Sequence, residues 1–152
     1  MGNRKRFFNK ANKSKTLAIQ AAHLKRIFPS SRIKFYGGAI LDWIGEIQPS
    51  PLSEIYVVRI RYKLKTRPNV TIVKPKLQSR GNARIPHVFP GNKLCLFRFK
   101  YFEWDATMSI ADTIVPWTSL WLHHYEIWLA TGIWCGKNEE HPEKDEDKHP
   151  TS

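Results

Sequence analysis

Cys95 and Cys135 are the only thiols in the chain, and they stand in different company. Cys95 lies in the segment Ile85-Pro86-His87-Val88-Phe89-Pro90-Gly91-Asn92-Lys93-Leu94-Cys95-Leu96, whereas Cys135 follows Trp134 beyond a helical stretch and has no such loop before it. A thiol attacks as the thiolate, which for an ordinary cysteine is a few per cent of the population near neutral pH. Neighbours therefore decide whether it is a nucleophile, and Lys93 and His87 are the candidates to help. An acyl group moving onto or off the sulfur passes through an oxyanion, and a side-chain donor held beside one is worth about 2.7–4 kcal/mol. His87 offers a ring N–H that can stabilise the oxyanion, orient the loop or take a proton from an incoming amine. By itself a cysteine between two leucines reads as a small buried apolar residue, and a lone loop histidine as a hydrogen-bonder. The surrounding segment is what turns the balance toward chemistry.

Other constellations carry less. The cysteines are forty residues apart with no Cys-x-x-Cys pair, which disfavours a disulfide framework or a zinc ribbon. Cys135, His123 and His141 lack a recognisable ligand spacing. His124 falls in the middle of an apolar helical face, where core packing is the expected role.

These side chains must be positioned by a body of 152 residues, long enough to bury one core without disulfides or a structural metal. Asn12 to Phe28 places Leu17, Ala21, Leu24 and Phe28 on one face of a helix, and Pro29-Ser30-Ser31 ends it. The period then becomes two. Arg32 to Tyr36 and Ala39 to Gln48 read as extended chain around Gly37-Gly38. In Glu54 to Lys65, Tyr56, Val58, Ile60, Tyr62 and Leu64 face one way, and Val57, Arg59, Arg61, Lys63 and Lys65 the other, so one side is core and the other a basic stripe. Val70 to Val73 adds a short strand. Residues 74–100 are irregular and rich in Pro and Gly, but an apolar frame (Ile85, Val88, Phe89, Leu94, Leu96 and Phe97) predicts packing onto the sheet. Ser109 and Asp112 resemble a capping box, and Pro116 restarts a helix. Its apolar face comprises Trp117, Leu120, Trp121, Tyr125, Trp128 and Leu129, and Gly132 stops it. The expected division is a basic flexible arm over residues 1–10, one domain over 11–135 and a charged, disordered tail over 136–152.

Charge is uneven. Residues 1–80 hold 18 Lys and Arg against three acids (Asp42, Glu46 and Glu54), and the remainder holds seven against ten. Such a face suits an acidic protein or a nucleic acid. Aromatic residues are not interleaved with the cations of the stripe, which argues against single-stranded nucleic acid. No run approaches the roughly 18 apolar residues that span a bilayer, and the basic start is not followed by an apolar signal region, so the expected compartment is the cytoplasm without membrane attachment.

The segment 85–96 resembles the active-site segment of ubiquitin-conjugating enzymes, where a His-Pro-Asn tripeptide precedes the nucleophilic cysteine. Counting back from Cys95 puts Ile85, Pro86 and His87 at that tripeptide, Leu94 and Leu96 at the flanking aliphatic positions, and Gly91 one place from the family glycine. Trp104 follows Cys95 at nearly the family spacing. The run Ile110-Ala111-Asp112-Thr113-Ile114-Val115-Pro116-Trp117-Thr118, with Tyr125-Glu126 and Thr131-Gly132-x-Trp134, more particularly resembles the stand-alone conjugating-enzyme-like proteins of bacterial CBASS antiphage operons, which work with a cGAS/DncV-like cyclic-oligonucleotide synthase.

This resemblance implies an α+β ubiquitin-conjugating-enzyme-like fold: an N-terminal helix, an antiparallel β-meander, an active-site flap loop and a C-terminal helix. One long helix stands where typical members carry more. It also implies a thioester transferase with Cys95 and His87 as catalytic residues, and with Pro86, Gly91, Leu94 and Trp104 framing the loop. The client would be the operon's nucleotidyltransferase, passed to an unidentified acceptor without a cofactor in the conjugating step. Arg59, Arg61, Lys63 and Lys65 would dock a partner. The alternatives are an inactive family member, and a binding module whose basic sheet face holds a protein or RNA.

Overall fold

The computed structural model describes residues 13–96 and 104–135; the arm over 1–10 and the tail over 136–152 lie outside the described residues. Helix α1 (Leu17–Ile27) opens at Thr16, whose side chain accepts the Ile19 N–H, and buries Leu17, Gln20, Ala21 and Leu24. Four strands follow, β1 (Arg32–Tyr36), β2 (Ile40–Ile47), β3 (Tyr56–Lys63) and β4 (Asn69–Lys74), forming an antiparallel sheet in chain order. The expected meander is present. A two-strand hairpin, β5 (Val88–Phe89) and β6 (Lys93–Leu94), and helix α2 (Ile114–Thr131) complete the described α+β body.

The sheet sends Leu41, Trp43 and Ile47 of β2 and Tyr56, Val58, Ile60 and Tyr62 of β3 into the core, where α1 and α2 cover them. Register pairs Leu41 with Tyr62, Trp43 with Ile60 and Gly45 with Val58. Directly opposite residues share a face, so the period-two pattern of each strand adds to one apolar layer. Trp43 lies across Gly45, and its ring meets Phe28 edge-on at 5.5 Å.

Polar side chains tie the layers together. Gln20 is buried in α1; its amide donates to the Met108 carbonyl (2.8 Å) and accepts from the Ile110 N–H (2.9 Å), replacing a piece of backbone pairing. On α2, Glu126 accepts from the Ser53 hydroxyl (2.9 Å) and the Tyr56 phenol (3.3 Å), pinning the β2–β3 connection. Burial first, then the Glu126 carboxylate, pushes the Tyr56 phenol well above its ordinary pKa.

Three expectations about elements are corrected. Strand β3 ends at Lys63, Leu64 is 37% exposed rather than core, and Lys65 turns with φ of 65°. The Ser109 hydroxyl accepts the Asp112 N–H at 3.3 Å as a capping box requires, but this turn is separate from α2, which begins at Ile114 behind an N-cap Thr113 that makes no side-chain capping bond; the Asp112 carboxylate meets His23 at 2.9 Å. Leu120 is exposed, because the buried stripe of α2 runs through Ile114, Thr118, Trp121, Leu122, Tyr125 and Trp128. Gly132 does end the helix, in the left-handed conformation with its N–H on the Trp128 carbonyl.

Candidate active site

Between Val88 and Leu94 the chain reverses through Pro90, Gly91 and Asn92, the last two with φ of 81° and 58°. Glycine and asparagine tolerate this left-handed backbone, so a tight hairpin forms where irregular chain is expected from the sequence. Its ladder pairs Val88 with Leu94 and Phe89 with Lys93, and one step further the Cys95 N–H donates to the His87 carbonyl at 2.9 Å. Eight positions of chain are thereby folded into a direct backbone contact between His87 and Cys95.

His87 itself has φ of 54°. That conformation is uncommon outside glycine, although histidine, like asparagine, reaches it more readily than most residues. Here the Trp121 indole N–H donates to the His87 carbonyl at 3.1 Å, so this one oxygen accepts from both α2 and the cysteine strand. The His87 ring lies 5.0 Å from the Trp134 ring, which meets Trp121 edge-on at 5.3 Å. Trp121 in turn stacks on Tyr125 at 5.7 Å, and the Gln78 N–H donates to the Tyr125 hydroxyl. The sequence marks Trp121 only as core. The one signal it offers is that a buried indole N–H needs an acceptor.

Cys95 is 6% exposed and Cys135 is exposed. A transfer reaction at Cys95 therefore needs the end of the hairpin to open toward its substrate. Of the remaining loop residues, Pro86 directly precedes the left-handed His87, Gly91 forms the tip and Leu94 is buried. Trp104 belongs to the core: its ring meets Tyr62 edge-on and its N–H donates to Thr113 at 3.0 Å. Alongside the hairpin runs a groove of about 490 Å³ with Phe89, Pro90 and Leu94 as apolar lining and Arg67 and Lys93 as cations. His124 is half-buried rather than fully in the core, with its ring 5.8 Å from Trp134.

The basic stripe is realised only in part. Arg59 is committed to Asp42, with Nε 3.0 Å and Nη2 2.7 Å from the carboxylate oxygens. That carboxylate is 2% exposed although it lies on the outer face. Lys65 has left the strand. Arg61 and Lys63 stay exposed on the outer face, and Arg61 stands over the Tyr36 ring at 5.4 Å. Register adds what linear reading misses: Lys34 of β1 pairs with Asp42, which pairs with Arg61, and Arg32 pairs with Ile44, which pairs with Arg59. Two exposed cations from another strand thus extend the patch.

Residues 20–142 match the family model described as Type II CBASS E2 protein. The chain belongs to that family. Membership places it in CBASS antiphage systems and gives it a conjugation-type theme. No curated protein matches the chain. Among the described residues of this CBASS E2 protein, no helix is long and apolar enough to cross a membrane.

Proposed function

We propose that this CBASS E2 protein is an acyl carrier of the ubiquitin-conjugating type, with Cys95 as the thioester site and His87 as its catalytic partner. The observation that supports it most is the backbone contact between His87 and Cys95 across the hairpin, in a chain whose family is of the conjugating type. In the loading step the Cys95 thiolate attacks the carbonyl carbon of an activated protein C-terminus; the C–S bond forms as the activating group leaves with its electron pair. In the second step an acceptor amine attacks the thioester. The tetrahedral oxyanion collapses, the C–S bond breaks, the thiolate leaves and the amine's proton passes to a base. ATP is spent by whatever activates the carboxyl, so this step needs no cofactor.

The client is the operon's cGAS/DncV-like nucleotidyltransferase, and the fold is that of the ubiquitin-conjugating enzymes. The groove beside the hairpin has the apolar lining and positive charge to hold an extended C-terminal tail close to the Cys95 segment. The reading is tested in cytoplasmic extracts of bacteria carrying the intact operon. The client's last residue should be joined to Cys95 with the loss of one water, and deleting that residue should prevent the adduct. A disulfide would instead lose two hydrogens, and absence of any acyl adduct would sink the proposal.

His87 is assigned to the developing oxyanion. His87→Ala is expected to slow discharge of the loaded thioester by about 10²-fold, the usual cost of removing one such donor. His87→Asn, which restores an N–H donor, should lose much less, and both should melt near the wild-type temperature. Equal full activity in both variants would remove His87 from the mechanism.

Arg59, Arg61, Lys63 and Lys65 were the expected docking residues; with Arg59 held by Asp42 and Lys65 in a turn, Arg61 and Lys63 carry the assignment. Arg61→Glu combined with Lys63→Glu should weaken client association by about tenfold or more at low salt and progressively less as salt screens the contact. Loading of Cys95 at high protein concentration should be spared. Unchanged association at low salt would make the patch a solvated surface only.

A further inference from the structure

Three contacts fix His87 in place, two on its carbonyl and one on its ring. The residue is held in a left-handed backbone, its carbonyl receives both the Cys95 N–H and the Trp121 indole N–H, and its ring lies against Trp134. Trp121 is buried and stacked on Tyr125, and Trp134 is brought back toward it by the turn at Gly132. We infer that Trp121 and Trp134 are positioning residues, Trp121 gripping the main chain of His87 and Trp134 its ring, so that α2 and the turn after it set both the geometry of His87 and the opening of the hairpin end at Cys95. The inference rests on the acyl-carrier reading for its catalytic consequence, but its structural part can be read without it.

The grip acts in two opposite directions. Cys95 is nearly covered, so its reaction with a small alkylating agent waits for the hairpin end to open. Weakening the grip eases that opening. The same change lets His87 wander from its place, which slows acyl transfer. A merely structural defect would speed alkylation only in proportion to the stability lost, and it would slow discharge further in a His87→Ala background.

The test uses full-length protein carrying Cys135→Ser, so that iodoacetamide reports on Cys95. Trp121→Phe keeps an aromatic ring in the stack but removes the N–H donor together with the five-membered part of a buried indole, so its stability loss is measured alongside. It should speed alkylation by about three- to tenfold, the range one neutral hydrogen bond supports, and slow discharge of the loaded thioester by a similar factor. Trp134→Leu should slow discharge by loosening the His87 ring. In a His87→Ala background neither substitution should slow discharge further. Unchanged alkylation in Trp121→Phe, or full multiplicative slowing in the double variants, would overturn the inference. If wild-type protein forms no acyl adduct while Trp121→Phe still speeds alkylation, the acyl-carrier reading fails and the grip on the Cys95 strand stands.

Discussion

Cys95→Ala should abolish the denaturant-resistant adduct with the client completely, and Cys95→Ser should exchange it for one that resists thiols. A thioester is opened by an added thiol because sulfur is a good leaving group and thiol exchange is nearly isoenergetic. The serine oxyester has a poorer leaving group and persists under the same treatment. Alanine offers no nucleophile, so loss is total rather than graded. Cys135→Ser is the internal control: Cys135 is the exposed thiol and would react first with any indiscriminate reagent, yet it lies outside the His87 hairpin. Denaturing electrophoresis with and without a strong thiol, followed by mass measurement, reads all four proteins. If Cys135→Ser lost the adduct and Cys95→Ser did not, the assigned thiol would be wrong. A non-covalent module would instead form the same complex in every variant and lose it in denaturant.

Gly45→Ala should cost about 2–3 kcal/mol of stability, the upper part of the range for overpacking a filled core. A Cβ built on Gly45 would stand 2.2 Å from Trp43 Cζ2 and 2.4 Å from Cη2. The indole cannot swing away cheaply, since Trp43 is completely buried and packs against Phe28. For a domain of this size the loss corresponds to a fall in melting temperature of about 5–10 °C. Trp43→Leu in the same chain opens the space the methyl needs, so the double variant should lose less than the sum of the two single losses. A melting temperature for Gly45→Ala within about 2 °C of wild type would show that the ring yields. Glycine is usually a weak residue in a strand. Here it is the only one that lets the tryptophan lie flat across its own strand.

Along the chain, legible features were those whose cause is local. Leu17, Ala21 and Leu24 bury one face of α1 as their spacing requires, and the alternation from Tyr56 to Lys63 is the strand it looks like. Periodicity reports on which side of an element meets the core, and that is decided within the element. Gly132 ends α2 for an equally local reason, a backbone conformation that glycine reaches at no steric cost. The order of helix and meander strands was readable for the same reason.

The tertiary structure decided the partnerships. Asp42 takes Arg59 from a neighbouring strand and so removes one cation from the stripe, which no spacing along β3 could announce. Gln20 bonds to Met108 and Ile110, almost ninety positions away, and a glutamine on an amphipathic helix gives no sign of that. Residues 85–96 display a cysteine and a histidine eight positions apart, a separation that extended chain would keep wide. The left-handed turn at Gly91 and Asn92, closed by backbone pairing, brings them together, and the indole of Trp121, arriving from a helix more than thirty positions later, meets the same carbonyl that the Cys95 N–H does. Such contacts depend on register, on hairpin closure and on which face of α2 lies against the loop, and each is chosen by the packing of the whole core.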